Sequence, residues 1–146
     1  MIAAELGDKP VLRHLLELYR YDFSEFDDAD VDDHGVYGYR YLDSYWTELD
    51  RHPLLFRVDG SWAGFALVRA GDPHDLAEFF VMRKYRRRGV GTLLARELFT
   101  RFPGAWQVRQ MTSNPSATAF WIRAIPVDFA QEMLEQGPVQ RFTILA

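Results

Sequence analysis

Apolar residues recur at two spacings along this chain, and the change of spacing divides it. Ile2 to Leu6 predicts a short strand closed by Gly7. Val11, Leu12, Leu15, Leu16 and Tyr19 then repeat every three or four residues, the stripe of an amphipathic helix running to about Tyr21. Asp8 stands where an N-cap is expected, with Pro10 near the first helical position. An irregular connection bearing Gly35 and Gly38 follows. Tyr41, Leu42, Tyr45, Trp46 and Leu49 predict a second helix that ends before Pro53.

Past Pro53 the pattern becomes that of strands. Leu54–Val58 and Trp62–Arg69 flank Asp59-Gly60, a two-residue hairpin signal, and Gly71-Asp72-Pro73 makes the next turn. Leu76–Met82 is almost wholly apolar, as a strand covered on both faces should be, with Glu78 the exception. Val90, Leu93, Leu94 and Leu98 predict one face of a helix that Pro103-Gly104 ends. Trp106–Met111 reads as a strand and Ser116–Ile125 as a helix. Val127–Leu134 and Val139–Leu145 read as a hairpin joined at Gly137-Pro138, with residues 131–134 open to a helical reading. The order β-α-α-β-β-β-α-β-α-β-β predicts one α/β domain with a mixed sheet over residues 1–146.

Composition narrows the chemistry. The 146 residues include no cysteine, which excludes disulfides, thiolate metal sites and a Cys nucleophile. His14, His34, His52 and His74 are scattered outside any ligand motif, and no Gly-x-Ser-x-Gly turn occurs, so neither a metal enzyme nor a serine hydrolase is expected. The start lacks the features of a signal peptide, and no apolar run approaches the ~18 residues of a membrane span; a cytoplasmic protein without a membrane partner is expected.

The formal charge of −4 is unevenly spread. Asp22, Glu25, Asp27, Asp28, Asp30, Asp32 and Asp33 form an acidic run; Arg83, Lys84, Arg86, Arg87 and Arg88 form a basic one. The basic run lies between the apolar strand and the helix that starts at Val90. Such a turn aims backbone N–H groups and the positive end of a helix dipole at one point, a ready site for a diphosphate. Gly89 and Gly91 would let the backbone approach phosphate oxygens and adopt positive φ. Neither a P-loop nor a dinucleotide fingerprint fits: no Gly-Lys occurs, and Leu94 stands where the third small residue belongs. Nucleic-acid binding through the arginines is disfavoured, because the remaining surface is acidic and one turn offers few phosphate contacts.

Arg86-Arg87-Arg88-Gly89-Val90-Gly91 resembles the signature of the GCN5-related N-acetyltransferases: Gln or Arg, two residues, Gly, one residue, then Gly or Ala. Asn114-Pro115-Ser116-Ala117-Thr118-Ala119-Phe120-Trp121 resembles that family's second motif, and the order of elements matches. The likeness is best from about Leu54 to Ile125. It implies a mostly antiparallel twisted sheet with helices on both faces, in which a splayed parallel pair, Leu76–Met82 and Trp106–Met111, forms the cleft for acetyl-CoA. Acetyl-CoA would be the acyl donor. Backbone groups of Val81 and Arg83 would pair with the pantetheine arm, and an N–H near Val81 or Met82 would face the oxyanion. N–H groups from Arg87 to Thr92, Val90 and Gly91 included, would hold the diphosphate. Arg83, Arg86, Arg87 and Arg88 would meet the phosphates. Asn114 would cap the next helix or touch the pantetheine, and Trp121 would line the donor site.

The reaction so implied is attack of a primary amine on the thioester, with Glu78 the candidate base. Alternation puts Glu78 on one face with Phe80 and Met82, opposite Ala77, Phe79 and Val81, where burial should raise its pKa. The other reading of Glu78 is a carboxylate tied to an arginine on a neighbouring strand. Many family members carry Tyr where Trp121 stands, and an indole cannot supply a proton at neutral pH. That departure keeps a second reading open, a CoA-binding regulator without transfer activity. The acidic run with Tyr37, Tyr39, Tyr41, Tyr45 and Trp46 would suit a cationic amine. The resemblance also allows a homodimer, for which no stretch of the sequence argues.

Overall fold

A computed structural model describes residues 1–146. Seven strands join one sheet in the order β1-β2-β3-β4-β5-β7-β6. The strands are β1 (Ile2–Ala3), β2 (Arg51–Val58), β3 (Ser61–Arg69), β4 (His74–Val81), β5 (Gly104–Arg109), β6 (Ala130–Met133) and β7 (Pro138–Ile144). Every neighbouring pair is antiparallel except β4 and β5. The helices are α1 (Lys9–Asp27), α2 (Val90–Arg101) and α3 (Pro115–Ala124). Residues 131–133 are therefore strand, not helix. No helix is long and apolar enough to cross a membrane.

Alternation along β3 assigns the helices to opposite faces. Phe65 and Leu67 pack with Leu12, Leu15 and Leu16 of α1; Ala66 and Val68 pack with Ala95, Leu98 and Phe99 of α2 and with Trp121 and Ala124 of α3. Burying each of these leucine, valine and phenylalanine side chains stabilises the fold by about 1.5–3 kcal/mol.

Three expectations about elements need correction. First, α1 runs to Asp27 rather than Tyr21, because Phe23 and Phe26 extend its aromatic stripe beyond Tyr19. It starts after Asp8 without a side-chain cap, since the Asp8 carboxylate accepts from Glu5 N–H instead. Second, the helix expected around Tyr41–Leu49 is only a 3₁₀ turn, Leu42–Trp46. Leu42 and Tyr45 are buried at the three-residue spacing such a turn favours, whereas Leu49 is 98% exposed and anchors nothing. Third, α2 buries Leu94, Ala95, Leu98 and Phe99, while Leu93 points to solvent.

Two irregularities position the cleft. Leu67 pairs with Glu78 and Val68 with Leu76, so Ala77 is an extra residue, a β-bulge. The bulge turns Ala77 onto the α1 side, against the expected alternation, while Leu76 packs under α2 and α3. The parallel pairing of β4 with β5 consists only of His74 with Trp106 and Asp75 with Gln107, after which the two strands part.

Candidate active site

The free edge of β4 follows from its register. Met82 N–H donates to Ala63 C=O at 2.8 Å, which makes 82 and 63 a hydrogen-bonded pair. Alternation then turns the backbone groups of Phe79 and Val81 away from β3, toward the gap where β5 has diverged. Met82 is excluded as an oxyanion donor by that bond, and its carbonyl already accepts from Tyr85 N–H. Val81 N–H is the one that faces the gap. Val81 C=O accepts from Arg86 Nε at 2.8 Å.

Residues 86–89 turn the chain into α2. Arg87 and Gly89 both adopt left-handed backbone, at φ 60° and 76°, and Gly89 is the N-cap. Nothing lies within 4 Å of where a Gly89 Cβ would stand, so the space above the turn is open. The first turn of α2 leaves the N–H groups of Val90, Gly91 and Thr92 without intrahelical acceptors, aimed out of the helix end. That is a cradle suited to a diphosphate. Gly91 has a different reason to be small: its Cβ would meet the Phe120 ring at 3.1 Å, so its open side is filled by α3 and not left for phosphate.

The arginines are not equivalent. Arg83 and Arg86 both donate to Asp22 near the end of α1, at 2.6 Å each through Nη2. Those guanidiniums hold the Asp22 carboxyl below its ordinary pKa, although partial burial opposes them. Arg86 is thus a strut joining Asp22 to the β4 edge, and with Arg83 it is already engaged by a carboxylate. Arg87 and Arg88 are exposed; the Arg88 guanidinium lies 5.9 Å from the centre of the Tyr85 ring.

Glu78 lies half-buried on the α1 face of β4. Tyr19 donates its hydroxyl to Glu78 Oε2, so the partner is a tyrosine and not the arginine of the other sequence reading. Burial pushes the Glu78 carboxyl up to about 7; the Tyr19 hydroxyl, the Arg20 charge and Tyr39 partly oppose that rise. Burial and the neighbouring Glu78 charge push Tyr19 well above its usual range, so its hydroxyl keeps its proton. Tyr39 is raised too, by burial first and by Glu78 second.

Asn114 caps α3, its Oδ1 accepting from Ala117 N–H at 3.2 Å. Trp121 is buried, stacked edge-on against Phe79 at 5.1 Å and Phe120 at 4.8 Å. Its indole is therefore part of the α2/α3 core more than a wall of an open cleft. The acidic run is divided: Asp22 joins the arginines, Asp32 folds its own loop through His34 and Val36 N–H, and Asp30 and Asp33 remain exposed. Glu17 of α1 takes the N–H groups of Tyr37 and Gly38, fixing the segment that carries Tyr39. Between α1 and that segment lies a cleft of about 240 Å³, lined in part by Arg13, Glu17, Tyr39 and Arg40.

Sequence reasoning missed Tyr19 and Asp22. Tyr19 was legible only as a helix-face aromatic. A hydroxyl ending an otherwise aliphatic stripe was the available signal, since a buried Tyr O–H seeks an acceptor.

The sequence model of the acetyltransferase (GNAT) family matches residues 12–124. No curated protein matches the sequence. Among solved structures, an acetyltransferase from Thermus thermophilus superposes with a TM-score of 0.74 at 14% identity, covering 95% of this chain and 91% of its own. A spermidine N-acetyltransferase from Vibrio cholerae gives 0.64 at 14% identity, covering 99% and 93%. The PaiA N-acetyltransferase from Thermoplasma acidophilum, in complex with coenzyme A, gives 0.64 at 13% identity, covering 97% and 96%. At these identities the likeness is one of fold.

Proposed function

The chain belongs to the acetyltransferase (GNAT) family, and from that premise we propose that it transfers an acetyl group from acetyl-CoA to a primary amine by direct attack. The observation that carries the reading is Glu78: a half-buried carboxylate raised to about 7, three residues before the free edge of β4 at Val81. A base poised near neutrality is what an amine substrate requires, because the ammonium must lose a proton before it can attack.

In this reading Glu78, directly or through one water, takes the proton from the ammonium. The amine nitrogen bonds to the thioester carbonyl carbon, and Val81 N–H donates to the oxyanion. The C–S bond then breaks, and the thiolate leaves unassisted by Trp121. A thiol with an unperturbed pKa near ~8.5 makes that departure feasible, and the second proton of the newly bonded nitrogen passes through solvent to the thiolate, leaving amide and thiol. The N–H groups at the start of α2, with Arg87 and Arg88, hold the diphosphate. Arg83 and Arg86 contribute after exchanging Asp22 for phosphate. Asp30 and Asp33, exposed on the segment beside Tyr37 and Tyr39, favour a cationic amine as acceptor. The fold shared with a spermidine N-acetyltransferase is in keeping with that choice.

The buried Trp121 favours a second reading, a donor-binding regulator that transfers nothing. Calorimetric titration with acetyl-CoA, CoA, dephospho-CoA and NAD, followed by thiol-release assays over a panel of amines, separates the two. Acetyl-CoA binding weakened by loss of the 3′-phosphate, with amine-dependent thiol release, is the expected result. Binding without release from any amine selects the regulator, and no binding to any CoA species removes both.

A further inference from the structure

We propose that Tyr19 is a positioning residue for the proton transfer at Glu78, its hydroxyl fixing the orientation of the carboxylate from the opposite side of the α1–sheet interface. The inference rests on the acetyl-transfer reading above and adds to it a residue outside both sequence motifs.

Three observations meet at this contact. The hydroxyl of Tyr19 donates to Glu78 Oε2, and the two residues are 59 positions apart in sequence. The ring that carries it cannot swing away: it packs against Phe23 at 5.6 Å, Phe65 at 5.5 Å and Phe80 at 5.6 Å. The helix beneath is anchored by Leu12, Leu15 and Leu16, all buried against the same sheet face. A carboxylate on a bulged strand has freedom to rotate, and a donor held by an aromatic cage removes that freedom.

The other groups near Glu78 are few. Arg20 and Asp27 act on it from α1 with opposite signs, and Tyr39 approaches from the connecting segment. Tyr45, from the 3₁₀ turn, feels the Glu78 charge in turn. On β3 the residue opposite Glu78 is Leu67, and Phe65 and Phe80 pack on the same α1 face; none carries a charge. Tyr19 retains its proton throughout and only donates; the proton leaving the amine goes to Glu78. Because the hydroxyl bonds the charged form best, it works against the burial that favours the neutral acid.

The test is Tyr19→Phe, which keeps the ring and removes the donor. Two measurements decide it. The first follows the Glu78 side-chain carboxyl by carbon-13 NMR in labelled protein, with the resonance assigned through its loss in Glu78→Gln. The second is the pH profile of kcat/KM for an acceptor found in the amine screen. The expected result is a Glu78 midpoint and an acid limb that both move to higher pH. That corresponds to a loss of roughly tenfold at about pH 6 and less than twofold at about pH 9, with a melting temperature little changed at about pH 5, where the carboxyl is protonated with and without the Tyr19 hydroxyl. An unmoved midpoint overturns the proposal and leaves the acetyl-transfer reading standing. A midpoint that moves while the acid limb stays also overturns it, and in that case removes Glu78 from the mechanism. A uniform loss at every pH that tracks a lowered melting temperature assigns Tyr19 to packing alone.

Discussion

The two ends of the cleft are built of different material. At the Gly89–Thr92 end the groups that can meet a ligand are main-chain N–H donors, aimed by a left-handed turn and a helix start. At the Glu78 end they are side chains, a carboxylate and tyrosines brought together from a strand, a helix and a loop. A main-chain site depends on what is missing from the sequence, a Cβ at Gly89, and tolerates change in its neighbours. A side-chain site depends on each group present, and its electrostatics are set by burial. The two ends should therefore fail in different ways.

The largest separation is expected from Glu78→Gln. Turnover with saturating substrates should fall by roughly 100-fold or more, the usual scale of a lost general base, while calorimetry finds the acetyl-CoA Kd within about twofold. Equal losses in both would mean that the two ends are not independent.

The same substitution should also be stabilising above neutrality. The folded carboxyl titrates at about 7 against an ordinary 4.5, so between those values the folded chain keeps a proton that the unfolded chain has released. Stability is thus full below about 4.5, declines as pH rises through the folded value, and stays reduced beyond it. Denaturant titrations should find Glu78→Gln about 3 kcal/mol more stable than the parent at pH 8, with the difference gone near pH 4.

At the other end, Gly89→Val places a β-branched residue at φ 76°, where nothing obstructs it but the backbone itself is strained by about 1–2 kcal/mol. Donor affinity should weaken about tenfold, with turnover at saturation little altered. A loss of turnover instead would show that the turn sets the reacting geometry as well. Smallest is Asp22→Asn, which removes the carboxylate now engaging Arg83 and Arg86. Acetyl-CoA affinity should rise a few-fold and stability change by under about 1 kcal/mol, since Arg83 is exposed and Arg86 and Asp22 are only partly buried. A fall in affinity would make Asp22 a support for the arginines and not their competitor.

The same contrast explains what could be read beforehand. The strand, the arginine turn and the helix from Val90 lie within thirty residues, so glycine spacing and apolar pattern disclose them together. Tyr19 and Glu78 meet only after the sheet has formed, and nothing local to either position marks the other. Asp22 was hidden among six other acids of the same run, although it alone reaches the arginines. The bulge at Ala77 was also invisible, because an unbroken apolar run contains no signal for an extra residue. Tyr41 to Leu49 misled for the opposite reason. Aromatics at helical spacing read as a stripe, but Leu42 and Tyr45 suffice to seal that corner of the core.

The brief seam between β4 and β5 has a mechanical consequence. Only two residue pairs stitch the leaf β1–β4 to the leaf β5–β7, and each leaf is otherwise closed by its own ladders. Cooperative units of unfolding follow such divisions. The edge strand β6, every residue of which is exposed, is then the part that opens first under thermal agitation, while Trp106, Val108 and Phe142 of β5 and β7 stay tied to Leu54, Ala66 and Val68 in the core under α2 and α3. Both walls of the cleft, β4 with Glu78 and β5 with Trp106, would then stay closed while the far edge of the sheet breathes.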